Sequence, residues 1–138
     1  MNDNGGWSES LTGVWEGLYS YPADLQSPTA FTATLMESGD SVTGTVHEIG
    51  QAGVDSGQRI HAMLDGRRLG QLVVLIKTYD VGPGSDYSER VIYEGAVSDD
   101  GQEIEGRWTI HGVWSGKFLM VRPGRKVAAA RRAALAKV

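Results

Sequence analysis

Hydrophobic residues recur at every second position through eight stretches of this chain, each bounded by glycine, proline, aspartate or serine, and this pattern points to half-buried β-strands. The stretches run from Leu11 to Tyr21, Ala30 to Glu37, Ser41 to Glu48, Arg59 to Leu64, Gly70 to Tyr79, Glu89 to Ser98, Glu103 to Ile110 and Val113 to Arg122. Most are rich in Val, Ile, Thr and aromatic residues, which suit a pleated surface. Short and long connections alternate between them. Ser38-Gly39-Asp40, Asp65-Gly66-Arg67-Arg68 and Asp99-Asp100-Gly101 read as tight hairpin turns, whereas 22–29, 49–58 and 80–88 are longer loops. In an up-and-down meander every second connection lies at the same end, so the spacing predicts one closed end and one mouth.

Antiparallel strands in this number can close into a barrel or stack as a sandwich. A repeated hydrophobic-x-Gly-x-hydrophobic spacing favours the barrel. It occurs as Trp15-x-Gly17-x-Tyr19, Val42-x-Gly44-x-Val46, Tyr93-x-Gly95-x-Val97, Ile104-x-Gly106-x-Trp108 and Trp114-x-Gly116-x-Phe118. Alternate residues share a face, so each glycine sits beside large inward residues and lets a tightly coiled barrel fill its taper. The fold expected is all-β, an eight-stranded antiparallel up-and-down barrel over residues 11–122. A flexible N-terminus (1–10) precedes it and a short C-terminal helix or tail (123–138) follows. In a closed meander the first and last strands are neighbours. GVWEGLY and GVWSGKF, on those two strands, then read as the two sides of the closing seam, each with an inward Trp.

At 138 residues the chain is long enough for one core without a staple, and it has no cysteine with which to build a disulfide or a thiolate metal site. Its longest apolar run, Leu72 to Ile76, is too short to span a bilayer. The first residues carry no basic-then-apolar segment, so a cytoplasmic location is expected. Charge is unevenly distributed. All 17 acidic residues precede Val121, leaving residues 1–121 with seven basic groups and a net charge of −10, while the rest carries +6. A body this acidic is a poor partner for nucleic acid, which needs clustered Lys and Arg. RKVAAARRAALAKV, at the C-terminus, is rich in helix formers, with Val127, Leu135 and Val138 as its apolar stripe. Three readings stay open for it: a helix docked on the acidic barrel or a neighbouring subunit, a solubilising tail, and an arm for an anionic partner.

No phosphate-binding loop, dinucleotide fingerprint or nucleophile elbow is present. His47, His61 and His111 lie on separate segments without metal-ligand spacing, so neither a metal nor another cofactor is expected. The predicted mouth is the place to look for a site. Counting by twos from the inward set Trp15, Val46, Tyr93, Trp108 and Trp114 puts Tyr19, Tyr21, Glu48, Glu89 and Ile110 on the interior side as well. The candidate ligand-binding set is therefore Trp15, Tyr19, Tyr21, Glu48, Tyr79, Glu89, Tyr93, Trp108 and Trp114, an aromatic pocket with two carboxylates near its rim. A desolvated Glu48 or Glu89 could serve as an acid or base. Leu72 to Ile76 is apolar on both faces, so its outward side needs cover from the tail, a loop or a second subunit, which makes a homodimer or higher homo-oligomer a candidate assembly.

Gly13-Val14-Trp15 near the first strand and Val42-Thr43-Gly44-Thr45-Val46 in the third resemble the corresponding positions of the avidin and streptavidin family, and the long stretch 49–58 follows as that family's loop does. The resemblance implies an eight-stranded up-and-down barrel across most of residues 11–121. Biotin binding is not implied, because Gly17 and Tyr21, then Val46 and Glu48, stand where the family places its polar ligand contacts. The ending Gly-Arg-Trp-Thr-Ile-His-Gly-Val-Trp-Ser-Gly-Lys-Phe is also similar to small bacterial barrel proteins that supply no activity. Three functions fit these residues: a non-catalytic binder of a small, partly apolar ligand in the mouth, a filled barrel acting as an interaction module, and an isomerase- or cyclase-like enzyme using a rim carboxylate. The space inside separates them. Eight strands can enclose a bore just filled by side chains or one that holds a ligand, and an inner void below about 100 Å³ would exclude a ligand there.

Overall fold

The computed structural model describes residues 9–22, 27–49, 59–79 and 90–123. Eight strands follow in order: β1 (Gly13–Tyr19), β2 (Thr29–Ser38), β3 (Ser41–Ile49), β4 (Arg59–Leu69), β5 (Leu72–Tyr79), β6 (Val91–Val97), β7 (Glu103–Ile110) and β8 (Trp114–Val121). Each pairs antiparallel with the next and β8 pairs with β1, which closes the barrel. Burial alternates as the sequence requires. On β2, Phe31, Ala33 and Leu35 are buried while Thr32, Thr34 and Met36 face out. Phe31 has room inside because its ring occupies the space where a side chain at Gly17 would stand.

The strand spans match expectation closely except between β4 and β5. Asp65-Gly66-Arg67-Arg68 is not a turn; β4 runs through it to Leu69, and the chain reverses at Gly70, whose φ of 63° is left-handed. Gly66 marks a close approach of two backbones instead. A Cβ there would collide with the Val74 carbonyl oxygen on β5, so only glycine lets the strands pack at this point. Turn residues and close-approach residues are both glycine, and position alone did not separate them.

The closed end is fastened by two arginines. Arg68 donates to the carbonyls of Gly70 and Glu9 and pairs with Glu37 at 3.0 Å. Arg122 reaches the carbonyls of Ser10, Thr12 and Gly101 and lies 4.3 Å over the Trp15 ring. Trp15 is fully buried, with its indole N–H on the Leu11 carbonyl. Trp114 also faces inward, half-buried against Trp108 and Tyr21. The seam itself pairs Glu16 through Tyr19 with Val121 through Phe118. Both tryptophans face inward on the two strands of the seam, and because those strands are antiparallel they lie at opposite ends of the barrel.

Candidate functional site

Long connections and the short turn 111–113 gather at the other end, and there the inward positions of several strands converge on one carboxylate. Glu48 ends the inward row of β3 and pairs in register with Phe31 on β2 and Ile60 on β4. Lys77 and Tyr79 end the inward row of β5, and Tyr19 ends that of β1. Tyr19 donates its hydroxyl to Glu48 Oε1 at 2.5 Å, Tyr79 donates at 3.2 Å to both oxygens, and the Lys77 ammonium sits 3.0 Å from Oε2. The side chains of Lys77 and Glu48 are 1% and 0% exposed.

Aromatic rings enclose this cluster. Lys77 Nζ lies 4.7 Å from the Tyr19 ring centroid, 5.9 Å from Phe31, 4.5 Å from Tyr79 and 5.1 Å from Tyr93, all within cation–π reach. Tyr21, Trp108 and Trp114 extend the aromatic packing toward the rim, and Trp108 Nε1 donates to the Ser20 carbonyl. Burial sets the protonation behaviour. Desolvation pushes the Lys77 ammonium below its usual range, opposed by the Glu48 charge and hydrogen bond. Tyr19, Tyr79 and Tyr93 are pushed well above theirs, first by burial and then by neighbouring charge.

Of the residues expected at the mouth, Tyr19, Tyr21, Glu48, Tyr79, Tyr93, Trp108 and Trp114 come together here. Trp15 does not; it belongs to the closed end, under Arg122. Glu89 lies outside the described residues, as does most of the loops 49–58 and 80–88. Lys77 and Phe31 were missed. The signal for Lys77 was present, since it follows Val73 and Leu75 at period two, but lysine is so seldom buried that the pattern alone did not mark it.

The space beside this cluster is small. Between Phe31, Val46, Leu64, Leu75, Lys77, Tyr93 and Met120 it measures about 10 Å³, roughly one water, so the bore at this depth is filled by side chains. Glu48 is buried as an acid or base would need, and this space among the described residues is about the size of one water. A wider concavity of about 520 Å³ opens at the same end of the sheet, lined by Glu16, Gly17, Ala30, Phe31, Thr32, His47, Glu48 and Arg59. His47 pairs in register with His61, their ring centroids 4.4 Å apart, and its Nδ1 is buried without a hydrogen-bond partner. Among the described residues no three His, Cys, Asp or Glu side chains gather to hold a metal ion, and no helix is long and apolar enough to cross a membrane.

Comparison with protein-family models and with curated proteins finds no match. The closed eight-stranded antiparallel barrel is consistent with the avidin likeness at the level of fold.

Proposed function

We propose that this chain is a filled-barrel interaction module that pairs with a second copy of itself through the outer face of β4, β5 and β6. The observation that carries this reading is the combination of an exposed apolar stripe with a bore that, among the described residues, is filled at the level of Lys77. A preformed ligand site directs free polar groups at a void. Here both Glu48 oxygens are taken by Tyr19, Tyr79 and Lys77. Outside, Leu72, Val74 and Ile76 are 61%, 43% and 37% exposed, and Leu69 and Met63 on β4 extend the patch. In register across the three strands lie Leu69, Leu72 and Ala96, then Arg67, Val74 and Glu94, then Asp65, Ile76 and Ile92. A two-fold interface must be complementary to itself. Val74 at the centre, flanked by Leu72 and Ile76, would meet its own copy, with Arg67 of one copy, which pairs with Asp40 at 3.1 Å in its own chain, near Glu94 of the other. Sedimentation velocity at micromolar concentration tests the reading. The expected result is a dimer that Val74→Lys converts to a folded monomer, whereas a purely monomeric wild-type chain would refute it.

A second reading, the binding of a small ligand at the long-loop end, draws on a different observation. The concavity of about 520 Å³ falls in the range of small-molecule sites, and the unpartnered His47 Nδ1 beside it is a group a ligand could satisfy. Native mass spectrometry of protein purified from its source checks this, since a retained small molecule supports binding and a bare mass counts against it.

A further inference from the structure

The opposite outer wall, formed by β7, β8 and β1, has the reverse character. Leu119 and Val121 point outward from β8 yet are 3% and 0% exposed, forming an apolar cluster of their own apart from the core. Their neighbours across the sheet are Glu103 and Glu16 beside Val121, and Glu105 and Leu18 beside Leu119. Three carboxylates thus bracket two apolar side chains, and each of the three is engaged in a polar or ionic contact. We infer that residues 124–138 of the same chain dock on this wall and strap the β1–β8 seam.

Length, charge and apolar content agree on that occupant. Pro123-Gly124 follows directly after the end of β8 and allows the chain to reverse over the wall it has just left. The fourteen residues after Gly124 would span about 21 Å as a helix, at 1.5 Å per residue. At ~3.4 Å per residue β8 spans about 27 Å, so the segment fits along it. It carries five basic residues and no acidic one, with Val127, Leu135 and Val138 among alanines. Tethering by so short a connection gives the segment an effective concentration in the millimolar range, which favours its own barrel over a neighbour's. The seam also has the most to gain. Only four residue pairs join β1 to β8, against eight between β7 and β8. This docking leaves the β5 stripe to other partners, in keeping with its exposure.

Limited trypsin digestion of the full-length protein, read by mass spectrometry, tests the docking, since Arg125, Lys126, Arg131, Arg132 and Lys137 are all cleavage sites. Cleavage tracks the undocked population when opening is fast. Leu119→Ala on the wall and Leu135→Asp on the segment should each speed cleavage at these sites about tenfold. The second substitution lies outside the barrel and leaves its fold intact, so the test survives a failure of the first variant to fold. Equal cleavage rates in wild type and Leu135→Asp would overturn the inference. So would protection that disappears on dilution, because that marks docking on a second copy.

Discussion

Breaking the Lys77–Glu48 pair from each side should give two variants that are each strongly destabilised. Lys77→Met leaves a buried carboxylate with its two tyrosine donors but no cation, at a cost of about 3–5 kcal/mol, as found when one partner of a buried pair is removed. Glu48→Gln instead strands the ammonium in its aromatic box, where burial already pushes it below its usual range and the Glu48 charge that opposed this push is gone. Releasing its proton at pH 7 costs about 5 kcal/mol, since the usual lysine value near 10.4 lies more than three units higher and each unit is ~1.4 kcal/mol. The unfolded state then holds the extra proton, so the deficit of Glu48→Gln shrinks as pH rises toward about 10. The double variant keeps an amide oxygen for the Tyr19 hydroxyl and buries no charge, and should return to within about 2 kcal/mol of wild type. Urea denaturation between pH 5 and pH 9 reads all four proteins. Single-variant costs below about 1 kcal/mol, or a double variant whose cost equals the sum, would show that the pair behaves like a surface ion pair and refute the reasoning.

Tyr19, Tyr79 and Tyr93, held protonated by burial, should ionise only as the barrel unfolds. The unfolded chain releases those protons above pH ~10, so stability should fall by up to about 4 kcal/mol per pH unit beyond it. Tyrosinate absorbance and circular dichroism followed together check this, and ionisation of all three tyrosines in a chain that stays folded would contradict it. Gly66→Val should cost more than about 3 kcal/mol in thermal unfolding, because the collision is with the Val74 backbone and not with a flexible side chain. Gly39→Asn, at a left-handed turn position with nothing within 4 Å, should cost less than about 1 kcal/mol.

The barrel was legible because its strands alternate and its turns carry glycine, both local signals. The mouth was legible in part for the same reason. Counting by twos from Trp15 and Val46 brought Tyr19 and Glu48 inside without any knowledge of their partners. What could not be read locally was pairing across strands. Nothing within β5 says that Lys77 meets Glu48, which lies two strands away on β3, with β4 between them. Gly66 shows the same limit, since its role depends on a carbonyl supplied by the neighbouring strand. Trp15 was assigned to the mouth because it faces inward, but height along the barrel follows from register, and register placed it beside Arg122 at the other end.

That distinction bears on why an ion pair is kept where apolar side chains would fill the space at less cost. Most strands here set their own register, because a slip of one residue would turn a buried row out to solvent. β5 has no such protection. Leu72, Val74 and Ile76 on its outer face are as apolar as Val73 and Leu75 within, so over these residues a slip exchanges one hydrophobic row for another. Lys77 breaks the symmetry. Shifted by one position, Lys77 and Tyr79 would both point outward, and Glu48 would keep Tyr19 but lose a tyrosine donor and its only salt-bridge cation among the described residues. Removing one partner from a buried pair costs about 3–5 kcal/mol, a large share of the ~5–15 kcal/mol by which a whole domain is stable. The pair therefore adds little to the strength of the barrel but selects its register at the strand where hydrophobicity cannot, and the Lys77→Met/Glu48→Gln barrel, though stable, should show β5 and β6 amides exchanging hydrogen faster than in wild type.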